Sequence, residues 1–286
     1  MSDRYHIVRL ANGAHSLRSE AYGETFHPVI GPVAEAQALY VEQLRLDEGV
    51  RNCAGEFVVW DIGLGAAANP LTFLEAVREF SGKVRIVSFD YTTEPLQVAL
   101  QNPDLLPYTR GWRTTLEELI ETRRTRIQLP AGLDVEWELH LGDFPTMIRG
   151  RIPAPAPHAI FYDAFSPATN AAMWTLEVFT RLFQHLDPAR PCSMPTYSRS
   201  TMLRVTLLLA GFYVGVGHAT GEKEETTIAA NAPGLIKEPL DRSWLLRAKR
   251  SRSAEPLHSP EYRQCPIQHE TWEALSAHPQ FAGALA

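Results

Sequence analysis

The sequence predicts an α/β fold: a mainly parallel sheet with a C-terminal antiparallel hairpin and an N-terminal cap. Three observations carry this prediction. From residue 57 onward, short apolar runs alternate with segments of helical periodicity, the pattern of a sheet covered by helices on both faces. Apolar or alternating runs lead repeatedly into an acid, at Asp61, Asp90, Asp143 and Asp163. Near the C-terminus, "FYVGVG" (212–217) and "TTIAA" (226–230) lie close enough to pair as a hairpin. In sheets of this kind ligands bind beyond the carboxyl ends of the strands, so the strand-end acids are the residues to examine.

The elements follow in order. Residues 1–56 precede the first sheet strand and are expected to form a cap or lid, with an amphipathic helix over 35–46. "FVVW" (57–60) reads as a strand buried on both faces. Asn69-Pro70 supplies a helix start, an N-cap acceptor followed by proline. Leu71, Leu74, Val77 and Phe80 continue that helix at its own spacing. "VRIVSF" (84–89) is the second strand, and 93–101 a helix. Thr114 and Glu117 fit a capping box for the next helix. "VEWELHL" (135–141) alternates as a strand that is half exposed or near an edge does. The Pro-rich 151–158 is a loop feeding "HAIFY" (158–162), a buried strand. A helix follows through "AAMWTLEVFTRLF", then a weaker strand at 192–197 and a helix at 199–210 that ends at Gly211. The expected organisation is a cap over 1–56, a core over 57–235 and a C-terminal extension over 236–286.

Composition narrows the function classes. With 286 residues, 45% hydrophobic and 21% charged, the chain can bury a sizeable core. No apolar stretch approaches the ~20 residues of a membrane helix. The N-terminal "MSDRYHIVRLANG" lacks the apolar centre of a signal peptide, so a cytoplasmic location is expected. Three cysteines without CxxC spacing and ten histidines without an HxxxH pair point to neither disulfides nor a metal site. A net charge of −6 argues against binding nucleic acid through bulk positive charge. One local basic stretch stands out, "DRSWLLRAKRSR" (241–252), with Arg242, Arg247, Lys249, Arg250 and Arg252. It reads either as a solvated tail or as a nucleic-acid patch.

The glycine turn "DIGLGAAANP" (61–70) follows a strand and precedes a helix. Gly63 and Gly65 allow a tight turn and close approach of backbone to ligand. Asp90, ending the second strand, is placed to accept both hydroxyls of a ribose. A nucleoside-containing cofactor is therefore expected. Asp61 lies inside the turn motif, where its charge would oppose a pyrophosphate and suit the ammonium and sulfonium of S-adenosylmethionine. Asp143 is placed to accept from an adenine amino group. Three acids and no Arg or Lys in the turn favour S-adenosylmethionine over NAD.

The fourth strand end, "FYDAFSPATNAAMW" (161–174), carries a more specific pattern. Asp163, Phe165, Pro167, Asn170 and Trp174 resemble the D-G-F-x-P-x-x-N-P-x-x-W signature of the tRNA 5-aminomethyl-2-thiouridine methyltransferases. In many bacteria this domain is half of a bifunctional wobble-uridine enzyme. The likeness extends over most of the chain. "LANGAHSLRSEAYGETFHPVIGPVAEAQALYV", "DIGLGAAANPLTFL", "TYSRSTMLRVTLLLAGFYV" and "GEKEETTIA" each resemble a family segment. Departures include Ala66-Ala67 for Thr-Gly, Ala164 for Gly and Pro195 before Thr-Tyr. The last fifty residues match least, and the chain is too short for the flavin-dependent oxidase half. The resemblance implies a Rossmann-like class I S-adenosylmethionine-dependent methyltransferase fold and methyl transfer to a primary amine, with tRNA as partner. It implies that Asp163 hydrogen-bonds the amine and accepts or relays its proton. It further implies that Phe165 stacks on the uracil, Tyr197 orients it and Asn170 positions the loop, with Trp174 as core. Asn69 and Glu35 join the cofactor set, Glu35 holding the donor's amino group from the cap. His27 is assigned either to lid packing or to substrate contact. Arg199 and Arg204 are expected near the mouth of the site. The rival readings are a small-molecule amine methyltransferase, an aminopropyltransferase, an NAD-dependent oxidoreductase and a non-catalytic RNA-binding module.

Overall fold

The computed structural model describes residues 5–221 and 224–282. Two short strands, β1 (Tyr5–Arg9) and β2 (His15–Ser19), pair antiparallel and open the cap. Helix α1 (Pro32–Ala36) runs on into a π-helical turn over Gln37–Glu42, and α2 (Leu46–Asn52) follows. The expected continuous helix over 35–46 is broken, because Arg45 adopts the left-handed conformation at φ 50°. Alternation then begins with β3 (Glu56–Ile62), α3 (Ala68–Val77), β4 (Gly82–Asp90), α4 (Glu94–Gln101) and α5 (Arg113–Thr122). Next come β5 (Arg124–Gln128), β6 (Leu133–Leu141), α6 (Phe144–Met147), β7 (Ala159–Tyr162) and α7 (Leu176–Gln184). The chain continues through β8 (Ser193–Thr196), α8 (Thr201–Leu209), β9 (Tyr213–Gly217) and β10 (Thr226–Ala230), and ends in α9 (Arg242–Arg250), α10 (His269–Ser276) and α11 (Pro279–Ala282).

Eight strands form one sheet in the order β5-β6-β4-β3-β7-β8-β10-β9. The five from β6 to β8 are parallel, and β10 runs antiparallel to both β8 and β9. The chain winds outward from β3 to β6 on one side and from β7 to β9 on the other. The reversal between β3 and β7 is a topological switch point, where such sheets hold ligands. Alternation of side chains along the strands divides the apolar residues between two cores. Val58, Trp60, Ile62, Ile160 and Tyr162 pack with α7, α8 and α9. Phe57, Val59, Val84, Ile86 and Phe161 pack with α2, α3, α4 and α5 on the opposite face.

One strand is unexpected, one expected cap does not form, and Pro195 falls within its expected strand. Strand β5, "RTRIQ", has no counterpart among the predicted elements; it forms the edge and flanks β6 antiparallel, so β6 lies next to the edge, as expected. The Thr114/Glu117 capping box does not form: Trp112 is the N-cap of α5, and Glu117 pairs instead with Arg113 at 2.8 Å. Pro195 sits inside β8, opposite Ile228 of β10. Having no N–H to donate, it is compatible with a β7–β8 ladder confined to Ala159 and Ser193. Lys223 of the "GEKEETTIA" segment lies outside the described residues. Among the described residues no helix is long and apolar enough to cross a membrane.

Residues 240–281 pack into the same core as the sheet: Leu240, Trp244, Ala248, Ala254, Leu257, Leu275 and Phe281 are all buried there.

Candidate active site

β3 leads into the glycine turn. Gly63 has φ +98°, and a Cβ there would come 2.8 Å from the carbonyl oxygen of Asp163. The turn and the loop after β7 therefore touch backbone to backbone, which any side chain would prevent. The Gly65 N–H donates to Asp90 Oδ2 at 2.9 Å, and Thr92 N donates to Oδ1 at 3.2 Å. Burial nevertheless pushes the Asp90 carboxyl up to about 6, against these hydrogen bonds.

Two residues of the turn motif lie differently from expectation. Asn69 is not a cap. Helix α3 starts at Ala68 behind a left-handed Ala67 (φ 62°), which places Asn69 in the first turn. Its Nδ2 donates to Asp163 Oδ2 at 2.8 Å. Asp61 does not reach the cavity wall. Its carboxyl is fully buried beneath the turn, where Oδ2 accepts from Ser88 Oγ at 2.7 Å and Oδ1 has no partner. Burial pushes it up to about 7, and the charges of Asp163 and Asp90 add to the rise.

The loop after β7 is fixed on several sides. Trp174 Nε1 donates to the Phe165 carbonyl at 2.7 Å, and Tyr197 Oη donates to the Ala164 carbonyl at 2.8 Å. From the cap, Glu24 accepts from Ser166 N at 3.0 Å and from the Ser166 hydroxyl. Trp174 of the signature and Tyr197 thus hold the loop that presents Asp163; the Tyr197 hydroxyl donates to a carbonyl and is not aimed at a base. Phe165 is also placed differently from expectation. Tyr22 of the cap stacks on its ring, with centroids 4.3 Å apart and planes at 19°. Asn170 stands at the start of the 171–174 turn, with its N–H on the Ser166 carbonyl at 2.8 Å. Asp143 caps α6, accepting from Thr146 N at 3.1 Å and Thr146 Oγ1 at 2.5 Å.

These pieces surround one cavity of about 750 Å³ beyond the switch point. Its walls include Glu24, His27, Glu35, Asp90, Asp143 and Asp163, with Gly63, Gly65, Asn69, Phe165, Asn170 and Tyr197. His27 lies between two acids. Its Nε2 is 3.5 Å from Asp163 Oδ2 and its Nδ1 is 3.9 Å from Glu35 Oε1. The three side chains are 8%, 15% and 10% exposed, so little water screens them. Beside them, burial and the charges of Asp163 and Glu35 hold the Tyr40 and Tyr197 phenols well above their ordinary range. Tyr22 and Glu24 lie in the N-terminal segment that resembles the family, as its Y-x-E, but sequence alone assigns them no role. Their positions follow only from how the cap folds over the sheet.

Arg204 is not at the surface. It is 4% exposed, donates to Thr227 Oγ1 at 3.0 Å and pairs with Glu225 at 3.2 Å. Burial lowers its guanidinium, and the like charges of Arg199 and Arg247 lower it further. Among the described residues, no group of three His, Cys, Asp or Glu side chains is placed to hold a metal ion.

The donor set suits S-adenosylmethionine. The glycine cradle admits backbone approach, Asp90 faces the cavity, and Asn69 Oδ1 is an unpartnered polar atom of a wall residue. Fold and site together define an S-adenosylmethionine-dependent methyltransferase of the Rossmann-like class. A family model described as S-adenosyl-L-methionine-dependent methyltransferase matches residues 109–232. The chain is 27% identical, over 82% of its length, to the tRNA 5-methylaminomethyl-2-thiouridine biosynthesis bifunctional protein MnmC of Methylibium petroleiphilum. The crystal structure of MnmC2 from Aquifex aeolicus matches with a TM-score of 0.69 at 22% identity, over 96% of this chain and 83% of that one. A probable spermidine synthase from Corynebacterium glutamicum matches at 0.52 and 13% identity, over 97% and 92%. These last two are likenesses of fold. The chain is similar to the methyltransferase portion of the MnmC proteins, the family its sequence resembles. It covers 36% of the bifunctional relative's length, about a third. The oxidoreductase reading is set aside.

Proposed function

We propose that the chain transfers a methyl group from S-adenosylmethionine to the primary amine of an aminomethyl group on a tRNA wobble uridine. The observation that carries this reading is the wall of the cavity: Asp163 and Glu35 side by side on a shared histidine, next to the Tyr22–Phe165 ring pair. An acidic wall draws in a cationic amine and repels phosphate, so only the modified base of a nucleic acid belongs inside.

S-adenosylmethionine supplies an already activated methyl group, which leaves the protein to align the acceptor and free its lone pair. Asp90 would hold the ribose hydroxyls, and Gly63 and Gly65 would let the backbone approach the donor. Asn69 would contribute its free carbonyl oxygen, and Asp61 would act from beneath through its field. Asp143 borders the cavity with one oxygen committed to its cap, leaving the other for an adenine amino group. Asp163 would accept a hydrogen bond from the acceptor amine, Phe165 would extend its stack with Tyr22 onto the uracil, and Asn170 would steady the loop.

The test is labelled methyl transfer to bulk tRNA from cells lacking this modification, followed by nucleoside analysis. Labelled 5-methylaminomethyl nucleoside is expected. Asp163→Asn should lower turnover by about 10²-fold or more while leaving donor affinity within about twofold, as loss of a proton-handling group does. A donor-binding protein that leaves every tRNA unlabelled and methylates a free amine instead would replace this reading with the small-molecule one.

A further inference from the structure

His27 comes from the cap, not from the sheet, and it is the only imidazole among the described residues that line the cavity. We propose that His27 is the base of the reaction: it takes the proton of the acceptor ammonium by way of Asp163, with the Glu35 carboxylate facing its far ring nitrogen, which has no hydrogen-bond partner among the described residues. The cap thereby completes the catalytic site as it closes. This rests on the amine-methylating reading above and goes beyond it by naming where the proton goes.

Chemistry requires such a group. A primary ammonium has no lone pair, so an N–H bond must break before the N–C bond forms. The proton passes to His27 Nε2. The freed pair then bonds the methyl carbon as the carbon–sulfur bond breaks, and that bond's electrons stay on sulfur. The products are a secondary ammonium and a thioether, and the one proton lost from the acceptor remains on the imidazole. An ordinary carboxylate is a weak acceptor for an ammonium proton, whereas an imidazole is matched to neutral pH.

Geometry supports the assignment from three directions. Each ring nitrogen faces one carboxylate, at 3.5 Å from Asp163 and 3.9 Å from Glu35. His27 has φ +45° and precedes Pro28, a backbone state that a non-glycine residue adopts only when its surroundings compel it. Those surroundings are the cap contacts on the loop after β7: Glu24 on Ser166, Tyr22 on Phe165, and Phe26 edge-on to Phe165 at 5.2 Å. The titratable groups around the chain of three are Glu24 of the cap, Tyr40 of the π-helical turn, Asp61 of β3 and Tyr197 after β8. Both phenols are held protonated, so neither competes as the base.

The experiment uses the full chain with aminomethyl-bearing tRNA and compares wild type, His27→Gln and Glu35→Gln from pH 6.5 to 10. His27→Gln should lower kcat by about 10²-fold near pH 7 and recover most of the loss toward pH 10, where the acceptor arrives as free amine. Glu35→Gln should lower kcat by about 5–10-fold with the same trend. Binding of S-adenosylhomocysteine by calorimetry should change by less than about twofold in His27→Gln. Turnover of His27→Gln equal to wild type, or a deficit of the same size at every pH, overturns the assignment alone. Wild-type protein that methylates no aminomethyl nucleoside overturns the amine reading, and this assignment with it.

Discussion

Asp61 and Asp90 end neighbouring strands, yet their surroundings separate them. Asp90 keeps backbone donors on both oxygens, whereas Asp61 is sealed under the turn with one oxygen unpartnered. Burial raises Asp61 to about 7, and an unfolded aspartate titrates near 3.9. Between these values the folded protein binds more protons than the unfolded chain. Asp61 therefore costs stability as pH rises from about 4 to about 7, by up to about 4 kcal/mol, and adds no further pH dependence above that. Asp61→Asn keeps an acceptor for Ser88 and removes the titration. Urea melts at pH 5 and pH 8 should show the stability of wild type, relative to this variant, falling by about 2–4 kcal/mol toward pH 8. A difference that does not change with pH would mean that the carboxyl is solvated or paired. At this scale the sequence was legible in part. The strand-end acids and the glycine turn could be found because chain order places them at one sheet end. That Asp61 points under the turn, and that Tyr197 and Trp174 hold the loop, depends on rotamers and packing that no spacing encodes.

The alternation of strands and helices was readable because each buried strand is a short apolar run and each helix keeps its own period. What escaped has local reasons. β5 is short and charged, and it exists because β6 offers it a partner. The break before α2 depends on one left-handed Arg45 that carries no turn residue. The cap is the element whose role the sequence shows least, since its value lies in contacts across more than a hundred residues. Residues 36–50 of the cap sit in the second core, whereas Leu17 of β2 joins only a small cluster with Ala66, Ala99 and Leu106, so the cap's strand hairpin is the lightly held part. The Glu24–Ser166 contact is one of the ties that keep that part closed. Glu24→Ala should weaken closure by about 1–2 kcal/mol. That appears as a rise of about 5–30-fold in KM for donor and acceptor. Proteolysis within residues 5–31 should speed up, while global stability changes by less than about 1 kcal/mol. If KM stays at the wild-type value, the cap does not open during turnover.

For the whole molecule the difficulty is charge. On the proposed function, a chain of net −6 that presents an acidic cavity would meet tRNA through cations placed outside that cavity. The basic stretch at 241–252 forms α9, whose inner face packs Trp244, Leu245 and Ala248 into the core and whose charged residues face out. The Lys249 ammonium already lies over the Trp272 ring at 4.5 Å, and Arg250 donates to its own helix. Arg199 and Arg247 are better candidates. Both are exposed, both lie close enough to the buried Arg204 to lower its guanidinium, and Arg199 follows the cavity residue Tyr197 by two positions. Together they make a positive edge beside an acidic mouth, an arrangement that would seat phosphates outside while the base turns inward. Arg199→Glu with Arg247→Glu should therefore weaken tRNA binding by about tenfold or more at 100 mM salt. The slope of log K against log salt should become shallower by about 1–2, roughly one unit for each phosphate that the variant no longer neutralises. Methylation of saturating tRNA should continue and donor affinity should stay unchanged, because neither arginine touches the reacting groups. A slope that stays the same in the double variant would place the phosphate track elsewhere on the surface, with Arg242 and Arg252 as the next pair to reverse.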